Sequence, residues 1–396
     1  MSLANKVHQL ASKYFDEVVG MRRHLHMHPE LSFEEFETVK WVKAKLEEFG
    51  ITEVEEIAGT GLLAYIRCNE PDSKVIALRA DMDALPIVEQ NDVDYKSKNI
   101  GVMHACGHDV HTSSLLGAAK ILNEIKGELK GTIKMLFQPG EEKLPGGASL
   151  MIKDGALQDP APANIVGQHV MPLIPAGKVG FREGMYMASA DEIYITVKGK
   201  GGHAAMPEMN VDPVLIASHI VVALQQIVSR NSSPKVPSVL SLGKFIAEGA
   251  TNIIPEVVHI EGTFRTMDEV WRKEAHIKIK KLAEGLAESM GGECELEVRV
   301  GYPFLKNEPV LTQNLKSYAR EYLGEENVVD LDLWMAAEDF AYYTQETDAS
   351  FYRLGIRNED KGIVSGLHTP TFNIDESCLE IGAGLMAFMA AKQLSE

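Results

Sequence analysis

Lys74-Val-Ile-Ala-Leu-Arg-Ala80 is an apolar run that closes on Asp81-Met-Asp83. A short aliphatic stretch with charged residues only at its end reads as a strand buried on both faces. Runs of the same kind flank it: GLLAYI at 61–66, GTIKMLF at 131–137 and NIVGQHV at 164–170. A helix is expected from about 109 to 126, between the 74–80 and 131–137 strands. Strands alternating with helices point to an α/β domain with a mainly parallel, buried sheet. Upstream, Val7, Leu10, Tyr14, Val18, Met21 and Leu25 fall at helical spacing. A second helix is expected to open on the capping-box pattern Ser32-Phe-Glu-Glu35 and to run through Phe36, Val39, Val42, Leu46 and Phe49 to Gly50.

From about residue 186 the texture changes. DEIYITVKG alternates like a half-buried strand; a helix (211–230), two strands (237–247 and 256–266), a long helix (268–290) and a strand (293–300) follow. That order, β-α-β-β-α-β, is a complete ferredoxin-like split unit. Helix (309–323) and strand (350–356) patterns then resume. The simplest organisation is one α/β domain, 1–185 with 301–396, interrupted by a small inserted α+β domain, 186–300.

Composition bounds the function. A chain of 396 residues has room for two domains. Its 45% hydrophobic and 24% charged residues exclude disordered and fibrous classes. A net charge of −18 repels phosphate backbones and anionic lipid, so neither nucleic acid nor membrane is an expected partner. No apolar run approaches the ~18 residues of a membrane span, and the first twenty residues lack a signal-peptide core. Cys68, Cys106, Cys294 and Cys378 are too widely spaced for a disulfide framework. A cytoplasmic location is the expectation.

Four segments carry candidate chemistry at expected strand ends: Arg79-Ala-Asp81-Met-Asp83, Gln138-Pro-Gly-Glu141-Glu142, His169, and His104-Ala-Cys106-Gly-His108-Asp109 before the helix. Ligands of open α/β sheets bind outside the carboxyl ends of the strands, so these segments can meet in space. Residues 104–111 hold three His, one Cys and one Asp, a density that core packing does not require. Imidazole and thiolate suit Zn and related transition metals. In Glu141-Glu142, adjacent side chains diverge, so one carboxylate can bind metal while its neighbour takes a proton from water. Most Glu-Glu pairs are merely solvated; beside Cys-x-His this one gains weight. His169, and His368 in Gly366-Leu-His368-Thr-Pro370, are evenly balanced between ligands and ordinary histidines.

ALRADMDALP (77–86), HACGHD (104–109), FQPGEE (137–142), GQHV (167–170), GKGGHAAMP (199–207), TNIIP (251–255), GTFRT (262–266), EDF (338–340) and LHTP (367–370) occur in order along the chain. In these motifs the chain resembles the aminoacylase, hippurate hydrolase and auxin-conjugate hydrolase branch of the dinuclear-metal exopeptidases. The resemblance implies a zinc-exopeptidase-like catalytic domain with an inserted lid and dimerisation domain. It implies two divalent transition ions (Zn, Mn, Co or Ni), with Cys106 bridging and His108, Glu142, His169 and His368 completing the ligands. Glu141 is then the general base, and Asp83 orients a ligand. Asp81 stands where other branches have a metal-binding His, His108 taking over that coordination here. His203 is implied to reach a neighbouring subunit's site and stabilise the oxyanion. Asn252 and Arg265 fall at substrate-contacting positions, Arg265 as a carboxylate clamp; packing, a turn cap and a surface ion pair are the plainer readings of these three. One thiolate, one carboxylate and three imidazoles bring −2 against +4 from two divalent ions, and the remainder attracts hydroxide and polarises a carbonyl.

The expected activity is hydrolysis of the amide of a small N-acyl amino acid by a homodimer or higher homo-oligomer joined through the inserted domain. A dipeptidase or aminopeptidase-like exopeptidase on the same scaffold is the enzymatic alternative. A catalytically silent metal- or peptide-binding protein is the other, and a spare carboxylate at Glu141 speaks against it.

Overall fold

The alternation of apolar strands and amphipathic helices is realised along the whole chain in the computed structural model, which describes residues 1–395. In order, the elements are α1 (Leu3–Met27), α2 (Phe36–Glu48), β1 (Val54–Ile57), β2 (Gly61–Arg67), β3 (Val75–Asp81), α3 (His108–Ile125), β4 (Thr132–Gln138), α4 (Gly147–Lys153), β5 (Asn164–Pro175), β6 (Val179–Phe181) and β7 (Gly184–Met187). There follow β8 (Asp191–Lys198), β9 (Gly202–His203), α5 (Pro213–Gln226), β10 (Ser238–Ile246), β11 (Ile253–Ile254), β12 (Val257–Thr266), α6 (Glu269–Ser289), β13 (Glu293–Val300) and β14 (Leu305–Asn307). The chain closes with α7 (Pro309–Leu323), β15 (Val328–Asp330), α8 (Tyr343–Glu346), β16 (Asp348–Arg357) and α9 (Cys378–Gln393). It divides into two units: Met1–Gly184 with Lys306–Asp332 and Asp339–Glu396, and Met185–Leu305 with Leu333–Glu338.

The first unit is built on an eight-stranded sheet of order β1-β2-β4-β3-β5-β16-β6-β15. Its centre is parallel: β4 with β3, β3 with β5, and β5 with β16. The β1–β2–β4 edge and the β16–β6 pair are antiparallel. β2, β3 and β4 are buried almost throughout, the pattern of strands covered on both faces. α3, α1 and α9 pack together beside it. Gly117 permits their close approach: a Cβ there would lie 2.7 Å from Ala383 Cβ and 2.8 Å from Val18 Cγ2. The side chains of α3 and α9 are buried nearly all round, so the core lies between these helices and the sheet.

α2 departs from its expected start. The helix begins at Phe36, and Glu35 at its N-cap makes no capping bond with its side chain. The capping carboxylate is Glu30, which accepts from the N–H groups of Glu37 (3.0 Å) and Thr38 (2.8 Å) and from the Thr38 hydroxyl (2.8 Å). A side chain five residues further back along the chain reaches the first turn, so Ser32 and Glu35 are released from capping.

The second unit is a four-stranded antiparallel sheet of order β10-β12-β8-β13 with α5 and α6 packed on it. The order is that of the ferredoxin-like unit. Along β8 the apolar Ile193, Ile195 and Val197 are buried, while Glu192, Tyr194, Thr196 and Lys198 face outward. Asp212 caps α5 and Asp268 caps α6, each accepting from backbone N–H groups of the first turn. Against the sequence expectation, one stretch, Pro213–Asn231, is long and apolar enough by length and composition to cross a membrane. Its inner side, Ile216, Ala217, Ile220, Leu224 and Ile227, belongs to this unit's hydrophobic core.

Candidate metal centre

Strand register collects the site. β3 and β4 run parallel with Asp81 opposite Gln138, so Asp81-Met-Asp83 and Pro139-Gly-Glu141-Glu142 leave the sheet at the same edge. β5 pairs with β3 only as far as Gly167. His169 lies two residues beyond, where the edge opens, although β5 itself runs on to Pro175. His169 is therefore within a strand, not at its end as the sequence pattern implied. α3 starts at His108 after Gly107, whose φ is +82°. A Cβ on Gly107 would stand 2.6 Å from Val170 Cγ2, so conformation and space both require glycine. The loop carrying His368 is tied in by its N–H, which donates to the Ala105 carbonyl at 2.8 Å.

Within this edge Cys106 is central. Its Sγ lies 3.5 Å from His169 Nε2 and 3.3 Å from His368 Nε2. Three donor groups form, each with ligand atoms within 4.8 Å of one another: Cys106, His108 and His169; Cys106, Glu142 and His368; and His108, Glu141 and Glu142. His368 Nε2 is 3.1 Å from Glu142 Oε1, and His108 Nε2 is 3.9 Å from Glu141 Oε2. All but Glu142 and His368 are buried.

Hydrogen bonding decides which ring nitrogens face the cluster. His108 Nδ1 donates to the Asp83 carbonyl (2.8 Å) and carboxylate (3.1 Å). Its Nε2 is buried without a hydrogen-bond partner. His169 Nδ1 donates to the Val170 carbonyl (2.7 Å), turning the Nε2 lone pair toward Cys106. An imidazole anchored through one nitrogen, its other nitrogen presented inward, is arranged as a metal ligand is. Burial, and the charge of Arg353, keep the His169 imidazole well below its ordinary pKa and thus neutral. Burial also lowers His108, but Asp81 and Asp83 outweigh it and push that pKa up to about 10. Burial, with Glu142, Glu141 and Asp81, holds the Cys106 thiol well above its usual range. Both shifts report an excess of negative charge that a cation would neutralise. The donors therefore fit divalent transition ions: a thiolate, imidazoles with free lone pairs, and carboxylates.

A further group of Asp81, His108 and His111 has the right spacing for a metal, but its atoms are engaged elsewhere. His111 Nδ1 donates to Asp81 Oδ1 (2.6 Å), and His111 Nε2 accepts the Val170 N–H (2.9 Å). Arg79 donates to the other Asp81 oxygen and to Asp339, with Gln138 bonded to both Arg79 and Asp339. Burial would raise the Asp81 carboxyl; Arg79, then His108 and His111, hold it far below the usual range. Behind the helix start, Asp109 accepts from Arg22 Nε (2.8 Å) and His26 Nδ1 (2.7 Å). Sequence reasoning had no role for His111, Arg79, Asp339 or Arg22. All but Arg22 left a signal: Arg79 and Asp339 stand within the ALRADMDALP and EDF motifs, and His111 lies one turn after His108 on the same helix face.

In the second unit, His203 and Asn252 are neighbours: β9 and β11 pair with His203 opposite Ile253, and the Ala204 N–H donates to the Asn252 carbonyl (3.1 Å). Both side chains are exposed. His203 Nδ1 accepts the Ala205 N–H (3.1 Å), so the proton of a neutral ring sits on Nε2, available as a donor. Arg265, half-buried on β12, donates to the Met335 carbonyl (3.2 Å).

Residues 77–392 match Peptidase family M20/M25/M40, and the chain belongs to that family. It is 40% identical over 378 residues to N-acetyl-L-cysteine deacetylase of Bacillus subtilis, covering 96% of this chain and 88% of that protein. It is 38% identical over 391 residues to IAA-amino acid hydrolase ILR1-like 4 of Arabidopsis thaliana, covering 97% of this chain and 87% of the relative. Among solved structures, the Bacillus subtilis YXEP protein, described as a dinuclear metal binding peptidase from the M20 family, superposes with a TM-score of 0.83 at 35% identity; the match covers 97% of this chain and 99% of that one.

Proposed function

We propose that this chain is a metal-dependent amidohydrolase that cleaves small N-acyl amino acids to a carboxylate and a free amino acid. The observation that carries it is the sharing of Cys106 between two donor groups with Glu141 at their rim. The deacetylase and IAA-amino acid hydrolase relatives favour this substrate class, and the dinuclear neighbour favours two ions. Cys106 would bridge them, with His108, Glu142, His169 and His368 as the remaining ligands. When bound, such ions would polarise the amide carbonyl and lower the pKa of an attacking water toward ~7. Glu141 takes a proton from that water and returns it to the leaving amine nitrogen, so one water is added across the C–N bond. Asp83 keeps His108 in the tautomer that presents Nε2.

Unit 2 is, on this reading, the inserted lid. Arg265 holds the substrate carboxylate, Asn252 contacts the substrate, and His203 donates to the developing oxyanion of a partner subunit's site. The open edge of β10 supports a dimer joined through this sheet, because edge pairing covers both exposed ladders at once. A cytoplasmic location is part of this reading because the four widely spaced cysteines suit a reducing compartment, and small molecules rather than nucleic acid or membrane are the partners because of the net charge of −18. The test separates base from ligand. Glu141→Gln should keep its metal while kcat falls by roughly 10²–10⁴. Glu142→Gln should lose metal, and equal metal loss in both variants would refute the assignment. Assay of the metal-loaded protein on N-acetyl, N-benzoyl and dipeptide substrates separates amidohydrolase from dipeptidase.

A further inference from the structure

Ser32-Phe-Glu-Glu35 has the sequence of a capping box, yet Glu30 caps α2. The box's two defining side chains, Ser32 and Glu35, are instead turned into the first unit's core. Glu35 is fully buried. Its Oε1 accepts two backbone N–H groups, from Phe33 (2.9 Å) and Gly140 (2.8 Å), and its Oε2 accepts the Thr60 hydroxyl (2.5 Å). Ser32 donates to Asp83 Oδ2 at 2.6 Å. That same oxygen accepts the Glu142 N–H at 3.0 Å, and the other Asp83 oxygen receives His108 Nδ1. The four-residue segment thus reaches both sides of Glu141: Gly140 before it, directly, and Glu142 after it, through Asp83.

The contact at Gly140 is steric as well as polar. Phe33 has φ +67°, a left-handed backbone that a phenylalanine adopts only when its surroundings impose it. In this conformation its ring lies on Gly140, where a Cβ would stand 2.2 Å from Phe33 Cε1. Ring and carboxylate hold the turn from two directions. Ala84 N–H donates to the Glu30 carbonyl (2.8 Å) and Leu31 bridges to Ala84, which seats the segment beside Asp83.

We propose that Glu35 and Ser32 are positioning residues that clamp the Gly140 turn and the Asp83 carboxylate, and thereby set where Glu141 and Glu142 stand. The consequence for catalysis rests on the roles given to those two glutamates above; the clamp itself does not. Burial pushes the Glu35 carboxyl up to about 7, with the Thr60 hydroxyl opposing and Asp83 adding to the rise. A glutamine, which keeps an acceptor for Gly140, is therefore the conservative replacement.

Four variants of the full chain test this: Glu35→Ala, Glu35→Gln, Ser32→Ala and Glu30→Ala. Hydrogen exchange of the 139–147 segment, measured without metal or substrate, reads the clamp. Steady-state kinetics of the metal-loaded protein on an N-acetyl amino acid read its consequence. Glu35→Ala should speed exchange in 139–147 at least about tenfold and lower kcat by roughly 10–100-fold with KM within about threefold, since misplacing a reacting group by about 1 Å costs up to 10²-fold. Glu35→Gln should restore both to within about threefold of the parent. Ser32→Ala, which removes one hydroxyl and threatens folding least, should loosen the Glu142 end and lower kcat by about 3–10-fold. Glu30→Ala should lower the melting temperature while leaving 139–147 exchange and kcat unchanged. Unchanged 139–147 exchange in Glu35→Ala, or in Ser32→Ala should Glu35→Ala fail to fold, would overturn the proposal. So would a kcat loss in Glu30→Ala matching that of Glu35→Ala, or a Glu35→Gln variant as impaired as the alanine. Absence of amidase activity in the parent would sink the functional reading alone, because the exchange arm still decides the clamp.

Discussion

Replacing Arg79 with Met removes the cation from the centre of the first unit's buried polar network. The guanidinium is fully buried and forks three ways: Nε to Gln138 Oε1 (2.9 Å), one terminal nitrogen to Asp81, the other to Asp339 Oδ1 (2.8 Å). Both carboxylates are themselves fully buried. At contact distance and an effective dielectric near 20, each pairing is worth about 4 kcal/mol before desolvation is subtracted. Breaking a buried pair by deleting one partner costs about 3–5 kcal/mol, because the carboxylate left behind stays out of water. Arg79→Met should fall in that range. Arg79→Lys should fall between, since a point charge on a flexible stem cannot serve three acceptors in one plane. In a unit of well over two hundred residues, each kcal/mol moves the melting midpoint by roughly 2 °C, so a drop of roughly 6–10 °C is expected for Met. Opening free energies from hydrogen exchange in β3 and β4 measure the loss locally, which avoids assuming that the two units unfold together. The double variant Arg79→Met/Asp339→Asn should cost less than the two single losses added, by about 1–3 kcal/mol. A loss under about 1 kcal/mol in Arg79→Met, or strict additivity in the double variant, would refute the reasoning that the buried guanidinium holds this network together.

Three further outcomes are expected. Cys106→Ser should hold fewer than two equivalents of metal by elemental analysis, because a neutral hydroxyl bridges poorly; two full equivalents would leave Cys106 a packing residue. Mixing inactive Glu141→Gln with inactive His203→Ala should restore about a quarter of wild-type activity under random subunit exchange, half the dimers then holding one intact site; no recovery despite proven exchange would place His203 in its own chain's chemistry or in none. Asp375 accepts from Lys361 Nζ (3.0 Å), the Ser377 N–H (3.1 Å) and Asn358, and although burial opposes them these bonds hold its carboxyl down at about 2. A carboxyl depressed in the folded state stabilises above about pH 4, and that contribution drains away as pH falls toward 2. Asp375→Asn should therefore cost about 1–2 kcal/mol at pH 6, in a urea titration, with the deficit about halved near pH 3 and closing only below about pH 2; a deficit constant with pH would refute the charge argument.

The elements were legible because their signals are local. Apolar runs such as Val75–Asp81 and Thr132–Gln138, and the alternation in Asp191–Lys198, are written within ten residues and survive packing. The donor types were legible too, since Cys106, His108, Glu141 and Glu142 stand together in short motifs at predicted strand ends. Direction and ownership were not. That His108 presents Nε2, that His111 has both ring nitrogens engaged, and that His169 sits within a strand whose pairing with β3 ends at Gly167 all depend on partners from 25 to more than 60 residues away. The capping box shows the limit most plainly. Ser32 and Glu35 have the residue types and spacing of a helix cap, and Glu30 competes for the same N–H groups with nothing in the local pattern to favour it. The tertiary structure settles the competition, because the N–H of Gly140, more than a hundred residues further along the chain, is brought against Glu35 and needs an acceptor away from water, while Ser32 is turned to donate to the buried Asp83 carboxylate. Sequence determines which groups are available; packing decides which buried donor each acceptor must satisfy, since an unpaired polar group inside the fold costs more than the cap would return.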